Sequence, residues 1–294
     1  MNIQAEGMGR GARAAGLLRT DASFSADAAP AGTRAHTIAV TGGKGGVGKS
    51  SISASLASVL AQRGERVLAC DLDFALGNLG VLLGVEPTRN AEDFFDGIAS
   101  FEDCLVRYHA PGKGGDFDLL PAGSGTRDLA RPDTGRRTGL QAELLRISYD
   151  YDWIVLDTAA GIGPDVLEFC LGADRTLLVA TAEPASLTDA YGVLKALDAL
   201  AGERGRALTT PGVFANRVAD PEQAAQLTAR IAQVAERFLG RRPKLAGWCP
   251  ESLEVSRATA ARRPFAATSR TSAASRSIER LAARLGSELS GVTR

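Results

Sequence analysis

The alternation of strand-like and helical stretches predicts an α/β fold, a single doubly wound and mainly parallel sheet flanked by helices. Three observations carry that expectation. Short apolar runs bounded by turn residues alternate with stretches of helical spacing from residue 36 almost to the end. A glycine-rich turn, Thr41-Gly42-Gly43-Lys44-Gly45-Gly46-Val47-Gly48-Lys49-Ser50, joins the first such run to the first helix. Later runs end at Asp71-Leu72-Asp73, Asp157 and Asn216, on the strand ends where open α/β sheets gather ligands. No shift in composition and no internal repeat divides the chain. Residues 36–290 are therefore expected to form one domain, between a flexible tail over 1–35 and a short tail over 291–294.

In order along the chain, the tail is rich in Ala, Gly and Arg. Its stretch Ala12–Arg19 has the makings of two helical turns on a partner, the alternative being an unstructured tail with some leucines. Thr37–Val40 reads as a buried strand and Ser51–Ala61 as a helix. Gly64-Glu65 makes a turn, and Arg66–Cys70 is a second buried strand. Residues 90–108 look helical around Phe94, Phe95, Ile98 and Leu105. Phe117–Gly123 reads as a strand leaving the sheet, 124–137 as a surface loop, and 138–149 as an amphipathic helix. Strands over Ile154–Asp157, Thr176–Ala180, Gly212–Asn216 and 243–248 alternate with helices from Pro184 to about Leu200, over 221–239, near 251–262 and over 274–289.

The chain has 294 residues, 45% of them hydrophobic, enough for a sizeable core. With 34 Lys+Arg against 34 Asp+Glu, no global field favours nucleic acid or membrane. The four cysteines include no C-x-x-C pair, which argues against a zinc ribbon or an iron–sulfur site and fits reduced thiols in cytosol. No apolar run approaches the roughly 18 residues of a spanning helix, and no apolar core of a secretory signal is visible, so a cytoplasmic protein is expected. The last helix raises a local question. Ile278, Leu281, Leu285 and Leu289 form a narrow stripe flanked by Arg276, Arg280 and Arg284. A basic amphipathic helix can lie on anionic lipid, but this stripe lacks Phe or Trp, which favours a helix packed on the sheet.

The glycine-rich turn matches G-x-x-x-x-G-K-[ST] over Gly43–Ser50 and stands between strand and helix, the context that gives such a match meaning. Glycines let successive backbone N–H groups turn inward on phosphate oxygens, and the helix N-terminus adds partial positive charge. Gly43, Gly45, Gly46, Val47, Gly48, Lys49, Ser50 and Ser51 are the candidate phosphate-binding residues. Lys49 would reach the β- and γ-phosphates, and the Ser50 hydroxyl would join a Mg²⁺ shell. Four apolar residues ending in Asp157 form a Walker B pattern, whose carboxylate holds Mg²⁺ through water. Gly161-Ile162-Gly163-Pro164 supplies a turn suited to a switch. Asp71 and Asp73 alternate along a strand and so share a face. One would orient a water with the other behind the metal, or both would cap the next helix. Asn216 has the donor and acceptor to read adenine, or else caps its strand.

Lys44 is an extra lysine within Lys44-Gly45-Gly46-Val47-Gly48-Lys49-Ser50. This K-G-G-x-G-K-[ST] form resembles the deviant Walker A motif of MinD/ParA-class P-loop ATPases. Further stretches resemble the FlhG/FleN branch, which sets flagellar number and placement: Asp71–Gly84, Leu120–Gly125, Asp157-Thr158-Ala159-Ala160-Gly161-Ile162 and Glu183–Tyr191. The resemblance covers roughly residues 36–289. It implies an ATP sandwich homodimer with Mg²⁺, in which Lys44 reaches the phosphates of the opposite subunit and Asp73, the switch I residue, positions water. It implies Asp157 as the switch II aspartate, with Ser50 and Asp73 also beside the metal, and Asn216 as the base reader. Ala15-Gly16-Leu17-Leu18-Arg19 resembles the end of a D-Q-A-x-x-L-R helix through which some members stimulate the flagellar GTPase FlhF, with Arg13-Ala14 in place of Asp-Gln.

The expected function is thus a slow, cytoplasmic ATPase switch regulating flagellar number and placement. A flagellar transcriptional regulator or a basal-body component would be a further partner. Peripheral attachment at the inner membrane or cell pole stays open, because no membrane-targeting helix beyond the last one is evident. Two other readings stand beside it. One is a ParA-type DNA-partitioning ATPase using the C-terminal arginines, although neutral net charge makes DNA a poor partner. The other is a metabolic P-loop enzyme or cluster carrier, weakened by the missing C-x-x-C.

Overall fold

The computed structural model describes residues 33–111, 115–123 and 134–290. The expected N-terminal helix, the short C-terminal tail and most of the 124–137 loop lie outside these residues. Eight strands form one sheet, in the order β3-β4-β2-β5-β1-β6-β7-β8. Their ranges are β1 His36–Thr41, β2 Val67–Leu72, β3 Val106–Tyr108, β4 Phe117–Leu120, β5 Trp153–Thr158, β6 Arg175–Ala180, β7 Gly212–Val218 and β8 Leu245–Pro250. All neighbours are parallel except β3, which runs antiparallel to β4.

Strand alternation sorts the side chains into two cores. On one face, Ile38 and Val40 of β1, Val67 and Ala69 of β2, Val155 of β5 and Leu177 and Val179 of β6 meet the first helix, α1 (Lys49–Gln62). On the other face, Ala39, Leu68, Cys70, Ile154, Leu156, Leu178 and Ala180 form the second core. Following α2 (Leu79–Leu83) and α3 (Ala91–Phe95), the second face is covered by α4 (Thr134–Ile147), α5 (Pro164–Gly172), α6 (Pro184–Glu203) and α7 (Pro221–Leu239). The chain returns to the α1 face with α8 (Leu253–Ala260), α9 (Phe265–Thr268) and α10 (Ala273–Ser290). Ile278, Leu281, Leu285 and Leu289 of α10 are all buried there, so the narrow apolar stripe is consumed by packing on α1 and β8. Among the described residues no helix is long and apolar enough to cross a membrane.

The structure corrects four expectations. The stretch 90–108 is not one helix. A capping box of Asn90 and Asp93 starts α3, the chain turns at Gly97 with φ 68°, one 3-10 turn covers Glu102–Cys104, and β3 follows. The aromatic spacing that suggested a helix reflects a cluster in which Phe94 packs edge-on to Phe101 and Phe74 edge-on to Phe95. The strand at 117 does not leave the sheet: β4 lies between β2 and β3. The next helix begins at Thr134, four residues earlier than the expected 138. Finally, β8 begins at Leu245 and α8 spans only Leu253–Ala260, where Ser252 caps its start and Arg262 ends it with φ 54°.

Candidate functional site

The glycine-rich turn leaves the carboxyl end of β1, with β5 on one side and β6 on the other. Gly45 and Gly46 form a tight turn, and the glycine-rich run leads into the N-terminus of α1, whose first amides have no intrahelical partner. Gly46 and Gly48 adopt φ 77° and 100°, a region closed to most side chains. Packing imposes glycine independently at position 43, where an added Cβ would lie 2.4 Å from the Asp189 carbonyl oxygen of α6. Gly45 and Gly46 are exposed at the tip, and nothing would meet a Cβ there within 4 Å. Val47 is buried and anchors the turn from below.

Lys49 opens α1 and is itself buried. Burial pulls its pKa down, while the charges of Asp157, Asp73 and Asp71 hold it up. Asp157, at the end of β5, is buried under α1, where the Ser53 hydroxyl donates to it at 2.9 Å and the Ser50 hydroxyl also reaches it. Its pKa is raised, by burial, against those two hydroxyls and the Lys49 charge. Asp71 ends β2 with its carboxylate buried, accepting from the amides of Leu79 (2.9 Å) and Asp73 (3.1 Å). Its pKa is likewise raised, by burial first and then by Asp157. The two acids of the Asp-x-Asp pair therefore divide the work. Asp71 caps the start of α2 and ties down the loop. Asp73 lies past the strand end, half-buried, with Oδ1 accepting from the Leu76 amide at 3.1 Å.

One lysine thus stands among three carboxylates at the phosphate turn, a deficit of positive charge inside low-dielectric surroundings. Hard oxygen donors from Asp157, Ser50 and Asp73 fit a hydrated Mg²⁺. Among the described residues no cluster of three or more His, Cys, Asp or Glu closes into a metal cage. The turn Gly161–Pro164 abuts the same place: the Gly161 amide, at φ 99°, donates to the Gly42 carbonyl at 3.1 Å.

Beside the turn lies a cavity of about 590 Å³, lined by Gly48, Ser51, Asn216, Arg217, Pro250 and Glu251 among others. Asn216 is fixed in it by donating from Nδ2 to the Val47 carbonyl at 2.7 Å. One of its two N–H donors is therefore spent on the phosphate turn, which leaves Oδ1 and the other N–H to face a ligand. Lys44 points elsewhere. It forms an ion pair with Glu183, the exposed residue just before α6, and this pair holds the Glu183 carboxyl below its ordinary range. Sequence reasoning missed Glu183, Arg217 and the Pro250–Glu251 turn as site residues. The last had a usable signal, since it follows the strand next to β7 at the ligand-gathering end of the sheet; Arg217 had none.

A phosphate turn, a Walker B aspartate and a flanking cavity at the carboxyl ends of a parallel sheet define a nucleotide-binding protein of the P-loop class. Within that class the chain belongs to the CobQ/CobB/MinD/ParA nucleotide-binding domain family, whose model matches residues 38–265. It is similar to the antiactivator FleN of Pseudomonas aeruginosa, 39% identical over 223 residues that make up 76% of each chain. It is also similar to the flagellum site-determining protein YlxH of Helicobacter pylori, 33% identical over 199 residues, which are 68% of this chain and 64% of that one. Among solved structures, the septum site-determining protein MinD of Pyrococcus horikoshii, in complex with Mg-ADP, shares the fold with a TM-score of 0.64. It is 23% identical, and the match covers 88% of this chain and 99% of that one.

Proposed function

We propose that this chain is an ATPase switch that regulates flagellar number and placement, dimerising when it holds ATP and resetting when it hydrolyses it to ADP and phosphate. The observation that carries the reading is the contrast between the two lysines of the phosphate turn. Lys49 is buried among the carboxylates of its own site, whereas Lys44 is held outside that site by Glu183. A turn with one lysine for its own phosphates and one directed away suits a site completed by a second subunit. Likeness to a FleN antiactivator and to a flagellum site-determining protein favours flagellar control over DNA partitioning.

In this reading the turn amides bind the phosphate oxygens and Lys49 carries its charge to the β- and γ-phosphates. Ser50, Asp157 and Asp73 are the residues that would hold Mg²⁺, which when bound neutralises charge on those phosphates. Asp73 orients the attacking water, and the Asp71 carboxylate fixes the loop that carries Asp73. Gly161, bonded to Gly42, lets the Gly161–Pro164 turn sense what the phosphate turn holds. Asn216 keeps Oδ1 and one N–H for the base, the pair that matches the N6 amino group and N7 of adenine, where guanine presents its O6 acceptor. FlhF, a flagellar transcriptional regulator or a basal-body component are the partners this switch would address, at the membrane surface or cell pole.

Counting flagella by electron microscopy in cells lacking this gene tests the reading. Extra or misplaced flagella, corrected by the wild-type gene but not by Lys49→Ala, are expected. Normal flagella together with plasmid or chromosome loss would move the protein to the partitioning class.

A further inference from the structure

The nucleotide reading uses the carboxyl ends of the strands. A second cavity, of about 340 Å³, opens at the other edge of the sheet, where β6, β7 and β8 begin. Arg175 stands there as the first residue of β6, Thr210 just before β7, and Arg242 and Lys244 just before β8, with Arg284 of α10 closing the side. Four cations thus line the cleft, and the one carboxylate among the lining residues is that of Glu288.

Two of the cations are fixed by the backbone. The register of β7 against β8 shifts twice, around Arg217 and between Val213 and Phe214, and at the second shift β8 carries Ala246 as an extra residue, a β-bulge. Nη1 of Arg284 donates to the two carbonyls at this bulge, Leu245 at 2.7 Å and Ala246 at 3.3 Å, while its Nε donates to Glu288 at 2.8 Å. Arg175 is held by donating from Nη1 to the Asp174 carbonyl at 2.9 Å, and its Nε lies 3.9 Å from the same Glu288 carboxylate. One anionic group is therefore already seated between arginines of two different elements. The Nη2 groups of both arginines and the Lys244 ammonium have no partner among the described residues. Arg242 is paired from outside the lining by Glu236 at 3.2 Å, so the cleft keeps a surplus of positive charge. Guanidinium forks and a lysine point charge are the donors that match phosphate oxygens, and the Thr210 hydroxyl adds a further one.

We propose that this cleft binds a phosphoryl group, carried by a lipid headgroup or by a small soluble phosphate. The site is separate from the phosphate turn and does not depend on the nucleotide reading. Glu288 occupies part of it and competes with the incoming anion, so the two kinds of lining charge act in opposite directions on affinity.

The test uses two probes, with Mg-ADP in excess so that the phosphate turn is not titrated. One is sedimentation with vesicles of phosphatidylcholine, with and without phosphatidylglycerol; the other is calorimetric titration with inorganic pyrophosphate. Lys244→Gln is expected to weaken binding about fivefold, the worth of one basic charge beside an anionic surface, without lowering the unfolding temperature, because Lys244 is exposed. Glu288→Gln is expected to tighten it. Arg230→Gln removes the same charge from an exposed position of α7 outside the lining and should change nothing. Retention by phosphatidylglycerol without pyrophosphate binding supports the proposal with lipid as the source, and pyrophosphate binding supports it with a soluble phosphate. A wild type that binds neither probe overturns it. Unchanged affinity in Lys244→Gln and Glu288→Gln, or an equal loss in Arg230→Gln, also overturns it, since the attraction would then be diffuse.

Discussion

Gly43 shows how a single position joins packing to chemistry. A methyl group there would sit 2.4 Å from the Asp189 carbonyl, which cannot retreat without moving α6. Gly43→Ala is expected to cost about 1–3 kcal/mol of stability by overpacking and to displace the phosphate turn. Chemical denaturation alongside ATP titration should show both losses together. Asp71 offers the complementary case. Its buried carboxylate accepts two backbone N–H groups, and Asp71→Ala leaves both without a partner. The expected loss is about 1–3 kcal/mol for each stranded donor, read from denaturant midpoints. Slowed ATP turnover should accompany it, because the loop bearing Asp73 loses its anchor. The placement of Lys49 at the turn and of Asp73, Asp157 and Asn216 at or just past strand ends was legible in the sequence, whereas Lys44 was marked by the resemblance of its turn. What spacing did not reveal is how hydrogen bonds divide their roles: Asp71 accepts from the Leu79 and Asp73 amides, Asp73 accepts from Leu76, and one N–H of Asn216 is committed to Val47.

At the scale of elements, the strands that bear the site were legible because each is a buried apolar run that needs no partner to be recognised. β1, β2, β5, β6 and β7 fall where the apolar runs lie. β3 was not legible. It is three residues long, only partly buried, and exists by pairing with β4, which is a property of the partner as much as of its own sequence. The bulge at Arg217 is hidden for the same reason, since it is defined only against β8. The C-terminal helix illustrates how an ambiguous stripe is settled by what covers it. Leu281 is buried between α10, α1 and β8. Leu281→Ala is expected to lower stability by about 2–5 kcal/mol through transfer and cavity terms, measured by urea unfolding. A helix held free for a lipid surface would show a loss near zero.

For the whole molecule, the parallel sheet converts position in sequence into convergence in space. Segments after β1, β7 and β8 line one cavity with residues from 48 to 265, and the ends of β2 and β5 bring Asp71, Asp73 and Asp157 beside Lys49 of the same turn. Net charge of zero leaves the surface without a global attraction for nucleic acid or membrane, so binding energy must come from specific faces. The phosphate turn, with Lys44 paired to Glu183, and the adjoining Gly161–Pro164 turn, where Ile162 is 56% exposed, offer one such face. Closing two subunits there would cover those side chains and bring each Lys44 to the opposite site. Lys44→Ala should therefore bind ATP with near wild-type affinity yet fail to dimerise, whereas Lys49→Ala should fail at binding itself. Equilibrium ATP titration and analytical ultracentrifugation separate the two defects.

In the proposed switch, ATP controls association of two copies of this chain. Light scattering on a gel-filtration column, with Asp73→Ala in Mg²⁺ and either ATP or ADP, tests it most directly. A stable dimer with ATP, a monomer with ADP, and a monomer in both when Lys44→Ala is added are the expected outcomes. A mass that is the same with ATP and with ADP would contradict it.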